Sequence, residues 1–208
     1  MPLFDRLADA QTRCNVLEHP FYRRWSEGEL TPQELSHYAG QYRHAVMALA
    51  EATDATARAA EPAVRAQIAE HAAEEAAHVD LWDAFARTVE ADLRAEPAEE
   101  TAECVQAWTA AGDALEGLVV LYAIESAQPA ISVTKLEGLT EHYGLMEGPA
   151  TEYFALHAER DHDHAAQSRA LIEERLDGAD EDRLVAVAES ALRGNWTLLD
   201  GVERRFGR

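Results

Sequence analysis

From Leu3 to Val202, apolar residues, many of them alanine, recur at three- and four-residue spacing with little interruption. That period puts them on one face of an α-helix, and alanine has the highest intrinsic helix propensity. Strand signals are nearly absent. No alternation is sustained, no Asn-Gly or Asp-Gly turn joins alternating runs, and β-branched residues cluster only briefly. The expected fold class is all-α.

Punctuation divides the pattern into helices. The first is expected over 3–17, and a short one over 20–28 opens with Pro20. Thr31-Pro32-Gln33-Glu34 is a capping box with proline at the first helical position, and it starts a helix running to about 59. Glu61-Pro62 opens the next, to about 92, followed by 96–111 and by 112–128, which Gly112-Asp113 caps. Pro129 has no N–H to donate and breaks the chain. Helices near 131–143, 149–176 and 180–205 complete the pattern, separated by Gly144, Gly148-Pro149 and Asp177-Gly178. With short connections, no repeat and no linker, residues 1–208 are expected to form one compact multi-helix bundle, a single domain. An apolar content of 47% is enough to fill its core.

Charge narrows the choice of partners. Eighteen lysines and arginines face 39 aspartates and glutamates, a net −21. Such a field repels phosphate backbones and anionic lipid, so neither nucleic acid nor membrane is expected as a partner. No apolar run approaches 18 residues, and Met1-Pro2-Leu3-Phe4-Asp5 lacks a signal peptide's basic segment. A soluble, cytoplasmic protein is expected. The acids are spread along the chain, which favours a hydrated surface suited to high salt over a docking face for a basic partner. Cys14 and Cys104 lie far apart and are expected to be idle thiols. Lysine occurs once, at Lys135.

Five of the nine histidines fall in two tight groups. His71-x3-Glu75-x2-His78 and His157-x3-Asp161-x2-His164 share one spacing. At about 100° per residue, positions i, i+4 and i+7 lie within roughly 60° of one another, so each triplet forms one stripe. Glu74 lies close to the first stripe, while His162 and Asp163 point elsewhere. Glu125 is a bridging-type carboxylate inside the apolar run Leu121-Tyr122-Ala123-Ile124-Glu125-Ser126-Ala127, and buried there it wants a cation. One such histidine alone reads more simply as a structural or pH-responsive residue. Two matched stripes and a core carboxylate, on separate helices, are the ligand inventory of a non-haem dimetal centre. Imidazole with carboxylate suits iron or manganese. No Gly-x-Ser-x-Gly elbow or glycine-rich phosphate loop competes with that reading. The aromatic residues Phe21, Tyr22, Trp25, Tyr38, Tyr42, Trp82 and Tyr153 recur at helical spacing, as ordinary core does.

Leu17–Thr31, His78-Val79-Asp80-Leu81-Trp82, Tyr122-Ala123-Ile124-Glu125-Ser126 and Gly138–Gly144, followed by the His157 triplet, closely resemble the haem-oxygenase-like dimetal oxidases. The resemblance spans roughly residues 15–175 and is to the self-sacrificing para-aminobenzoate synthases among them. It implies the haem-oxygenase-like bundle shared with TenA thiaminases and the pyrroloquinoline-quinone synthase. The TenA enzymes rely on a cysteine not matched here. By the same resemblance Glu75, His78, Glu125, His157, Asp161 and His164 ligate two metal ions, Fe/Fe or Fe/Mn. O2 and an external reductant are then co-substrates, and an unidentified electron donor is a partner. For the glutamate on the fourth helix both Glu74 and Glu75 are in play. The Glu-x-x-His spacing of ferritin-like centres selects Glu75, with His71 as an extra ligand or a supporting group.

The resemblance further implies that Tyr22 supplies the aromatic ring, that Lys135 is the amino donor, and that Tyr38 and Tyr153 are active-site tyrosines. Ile124 departs from the para-aminobenzoate synthase pattern, which has a tyrosine beside the glutamate, so the resemblance does not carry a radical relay over to that position. An unbroken helix would put Lys135 about 280° around from Glu125, so the break at Pro129 is expected to turn it inward. The expected function is oxygen-dependent synthesis of para-aminobenzoate, a folate or pterin precursor, from the chain's own Tyr22 and Lys135. The alternatives are the same centre acting on a free amino acid or fatty acid, and a non-catalytic interaction protein. A homodimer is left open.

Overall fold

Helix ends follow the local chemistry of the chain in the computed structural model, which describes residues 1–207. The α-helices are α1 (Leu3–Arg13), α2 (Pro20–Ser26), α3 (Pro32–Ala59), α4 (Pro62–Thr88), α5 (Glu99–Thr109), α6 (Ala114–Glu125), α7 (Gln128–Glu141), α8 (Glu152–Glu173) and α9 (Glu181–Arg205). No strand occurs among the described residues. Proline opens α2, α3 and α4, where its missing N–H is not needed. The capping box of α3 is formed: Glu34 N donates to Thr31 Oγ1 at 3.3 Å, and Thr31 N to Glu34 Oε2 at 2.8 Å. Asp113 accepts from Glu116 N at 2.9 Å to start α6.

Several ends differ from the sequence expectation by two to four residues, and three of them have a clear local cause. Helix α1 stops at Arg13 rather than 17, because the Asn15 side chain accepts from Leu17 N and begins a separate 3-10 turn, Val16–Glu18. Helix α4 stops at Thr88; Glu90 takes a left-handed φ of 57°, and Ala91 N turns back to Ala86 O at 2.8 Å. Helix α7 begins at Gln128 and absorbs Pro129 into its first turn, so the break falls at Ser126 and Ala127. That short break reorients the chain after Glu125, and Lys135 ends fully buried.

Helix α3 runs against α4 and also meets α5, α6 and α9, while α8 packs on α4, α6 and α7. Two apolar clusters result. The larger holds Trp25, Tyr38, Tyr42, Trp82, Phe85, Trp108 and Phe154. The smaller, with Leu3, Leu7, Leu118, Ile172 and Leu184, ties α1 and α9 to the rest. Burying a side chain such as Phe85 stabilises the fold by roughly 1.5–3 kcal/mol. Along α4 the order is Ile68 in the smaller cluster, then His71 to His78, then Trp82 in the larger; along α8 it is Phe154, His157 to His164, then Leu171. Both polar stripes therefore stand between two cores. By length and apolarity Ala114–Glu141, α6 and α7 together, would suffice to cross a membrane; its most apolar stretch is 67% buried inside the bundle, and core packing accounts for it.

Candidate metal centre

Helix α4 presents His71, Glu75 and His78 on its inner face, α6 ends on Glu125, and α8 presents His157, Asp161 and His164; all are buried. Ligand atoms of His71, Glu75, Glu125 and His164 lie within 4.8 Å of one another, and so do those of Glu75, His78 and His157. Glu75 is common to both groups. Its Oε1 is 3.2 Å from His78 Nδ1, 3.6 Å from His164 Nδ1 and 3.7 Å from His71 Nε2. The shared carboxylate is thus Glu75, whereas Glu125, read from the sequence as the bridging type, stands with the first group alone. Glu125 Oε1 is 2.8 Å from His71 Nε2. Asp161 Oδ1 adds a further oxygen 3.5 Å from His164 Nδ1.

These atoms stand at ion-pair distances from one another but without hydrogen-bond geometry. His71 Nε2, Glu75 Oε1, His78 Nδ1, His157 Nε2, His164 Nδ1 and both oxygens of Glu125 and Asp161 are buried with no hydrogen-bond partner. Outside the cluster only Arg24 Nε and Asn195 Oδ1 share that condition among the described residues. Buried polar atoms are normally satisfied, so nitrogen and oxygen donors left open toward one point fit a pair of first-row divalent metals such as iron or manganese.

The outer atoms of two histidines are held. His157 Nδ1 donates to Tyr153 O at 2.7 Å, leaving Nε2 as the inward donor atom. His164 is turned the other way: its Nε2 meets Glu74 Oε2 at 3.0 Å and Nδ1 faces inward. Arg160 grips Glu74 through two bonds of 2.7 and 2.9 Å. Glu74 is therefore placed outside the cluster, orienting one of its members, and His71 is placed inside.

Burial sets the charges in conflict. It pushes the Glu125 carboxyl up to about 7 and that of Asp161 to about 6, and draws the His157 imidazolium down to about 4. Burial also opposes the charge on His71, but Glu125 and Glu75 beside it prevail and raise it to about 10. Against the same burial, His71 and His78 hold Glu75 well below the usual carboxylate range. Cations at the centre would remove the conflict among the carboxylates.

An aromatic chamber adjoins the cluster. Tyr153 stacks on His157 with ring centres 4.0 Å apart, and meets Trp82 edge-on at 5.0 Å. Trp82 touches Tyr42 and Tyr38, and Tyr38 Oη is 3.4 Å from Tyr22 Oη. Into this chamber projects Lys135. Its Nζ lies 4.4 Å from the ring centre of Tyr42, 5.5 Å from Trp82 and Phe154, 5.6 Å from Tyr38 and 5.8 Å from Tyr22. Among the described residues no carboxylate pairs with it, and burial lowers its pKa to about 7. Burial likewise raises Tyr22, Tyr38 and Tyr153 well above the ordinary phenol value. The structure so brings together all four residues singled out as catalytic. From the sequence Tyr42 reads only as core, and Trp82 as core within a segment that carries the resemblance; Tyr42 follows Tyr38 by one helical turn, the one sequence signal that it shares that face.

Residues 33–196 match the family described as iron-containing redox enzyme. The chain belongs to that family. The matched region contains every residue of the candidate centre, while Tyr22 on α2 precedes it. Over 212 aligned positions the chain is 30% identical to the 4-aminobenzoate synthase of Chlamydia muridarum, covering 96% of this chain and 89% of that one. A domain of unknown function with a heme oxygenase-like fold from Shewanella denitrificans superposes with a TM-score of 0.83 at 19% identity, over 99% of this chain and 94% of that one. A TenA homologue from P. horikoshii superposes with a TM-score of 0.79 at 17% identity, over 98% and 99%. The family's haem-oxygenase-like, TenA-like bundle is the fold of this chain.

Proposed function

We propose that this chain makes para-aminobenzoate, taking the ring from its own Tyr22 and the amino group from its own Lys135. One observation carries the reading: the sole lysine is buried among Tyr22, Tyr38 and Tyr42, beside a cluster of open metal-ligand atoms. The 30% identity to 4-aminobenzoate synthases over nearly the whole chain supports it. His71, Glu75, His78, Glu125, His157, Asp161 and His164 would hold two metals, Fe/Fe or Fe/Mn, and Glu75 is common to both groups of ligand atoms. When bound, iron supplies redox chemistry toward O2, with electrons returned by an external reductant.

The chain's own groups do the rest. The buried walls keep water from the chamber, and rings fixed in contact react ahead of distant bystanders because they are close. Tyr22 stays protonated, so its oxidation requires the proton to leave; Tyr38 Oη, 3.4 Å away, is placed to take part. Lys135 must present a neutral nitrogen to act as a nucleophile, and burial makes that form abundant near pH 7. Arginine, the basic residue used everywhere else in the chain, stays charged and could not do this. A free substrate fits less well, because the chain's own rings fill the space around the amine. Surface clefts of about 910, 390 and 300 Å³ are lined by none of the ligand residues.

The test is reconstitution with Fe(II), with and without Mn(II), then reductant and air. At most one para-aminobenzoate per chain should form, with a mass change confined to the peptides carrying Tyr22 and Lys135. Tyr22→Phe and Lys135→Arg should keep their metals and yield none. Many turnovers on an added amino acid or fatty acid, with Tyr22 intact, would transfer the assignment to a free-substrate oxidase.

A further inference from the structure

Helix α2 is seven residues long, yet it carries Tyr22 and must hold that ring at a set distance from Lys135 on α7. So short a helix has little interface of its own to define its register. Two matched pairs meet across the gap. Tyr22 and Trp25 are three residues apart on one face of α2, and Lys135 and Gly138 are three apart on α7. The first member of each pair meets the other, with Lys135 Nζ 5.8 Å from the Tyr22 ring centre. One turn on, Trp25 Nε1 donates to the carbonyl oxygen of Lys135 at 3.2 Å. That oxygen has a second lone pair, so the bond is compatible with the helical ladder of α7.

Gly138 is what lets the indole lie there. A Cβ at position 138 would sit 2.5 Å from both Cδ1 and Nε1 of Trp25, closer than real Cβ atoms approach a neighbour. The indole has nowhere to retreat. Trp25 is fully buried, with Phe21, Tyr38 and Tyr143 at ring-centre distances of 6.0, 5.7 and 5.7 Å, and Tyr143 Oη donates to its carbonyl at 3.1 Å.

We propose that the contact between Trp25 and Gly138 is a clasp that sets the separation of Tyr22 and Lys135, making both of them positioning residues. The inference rests on the function proposed above. The bond ends on the backbone of Lys135 itself, so it fixes the point from which the lysine side chain starts. Moving Trp25 moves the helix that carries Tyr22.

Because the chain has a single lysine, labelling with lysine carrying ¹³C at Cε gives one side-chain signal that reports on the chamber without any turnover. Rings packed around the amine should displace that signal from the ordinary lysine position. In Gly138→Ala the signal should move back toward the ordinary position. Under reductant and air, the same variant should keep its metal content and O2 uptake while para-aminobenzoate per chain falls about 100-fold, the scale of a 1 Å misplacement. Should Gly138→Ala fail to fold, Trp25→Phe decides, since it keeps an aromatic ring and removes only the N–H bond and part of the bulk. An unchanged lysine signal with unchanged product yield would overturn the clasp. So would a parallel loss of metal, melting temperature and O2 uptake in both variants, which marks a purely structural role. If the wild-type chain makes no para-aminobenzoate, the proposed function fails, and the lysine signal still decides the clasp.

Discussion

The Lys135 amine lies 4.4 Å from the centre of the Tyr42 ring, nearer than to any other ring around it. An amine in such a site is pulled two ways, since the ring faces favour a cation and burial favours the neutral form. Burial prevails, and the pKa falls to about 7. In the unfolded chain the group titrates near 10.4, so between those values the unfolded state binds more protons and stability rises with pH. This contribution is fully present only above the unfolded value and is lost as pH falls toward 7. Lys135→Met should therefore raise the melting temperature, and by more at pH 6 than at pH 10. An equal gain at both pH values would refute a neutral buried amine.

Glu75 and Glu125 should differ in how many metals they cost. Glu75 touches both ligand groups, whereas Glu125 touches one. After loading with Fe(II), Glu75→Ala should retain almost no metal and Glu125→Ala about half the wild-type amount. Metal analysis reads this directly, and equal losses would contradict a shared Glu75.

Glu74 acts through His164. Arg160 holds the Glu74 carboxyl down at about 2, so it stays an anion able to accept from His164 Nε2. Glu74→Gln should weaken metal binding by roughly 10–100-fold without changing the number of metals bound at saturation. Competition with a chelator measures the affinity. A lowered stoichiometry would instead make Glu74 a direct ligand.

Glu90 takes a left-handed conformation, φ 57°, at the end of α4, where glycine is the usual residue. A side chain in that region costs roughly 1–2 kcal/mol, so Glu90→Gly should stabilise the fold by up to about 1 kcal/mol once the added freedom of the unfolded chain is set against it. Denaturant melts at constant slope test this, and lower stability in the variant would show that Glu90 makes a compensating contact.

Much of this protein is legible along the chain because helices are local objects. The periodicity, Thr31 and Asp113 as caps, and prolines at helix starts define the nine α-helices among the described residues to within a few residues. The same locality exposes the two stripes, since i, i+4 and i+7 share a face whatever the helix packs against. Spacing along one helix says nothing about its rotation or shift relative to another. Glu74 and Glu75 differ by about 100° around α4, and only the position of Arg160 and His164 on α8 decides that Glu75 faces inward while Glu74 stays outside. Tyr42 looks like any core tyrosine until α7, restarted after its break, brings Lys135 over it. The meeting of Trp25 with Gly138 depends on two helices more than a hundred residues apart coming into close contact, and long-range packing alone decides that distance.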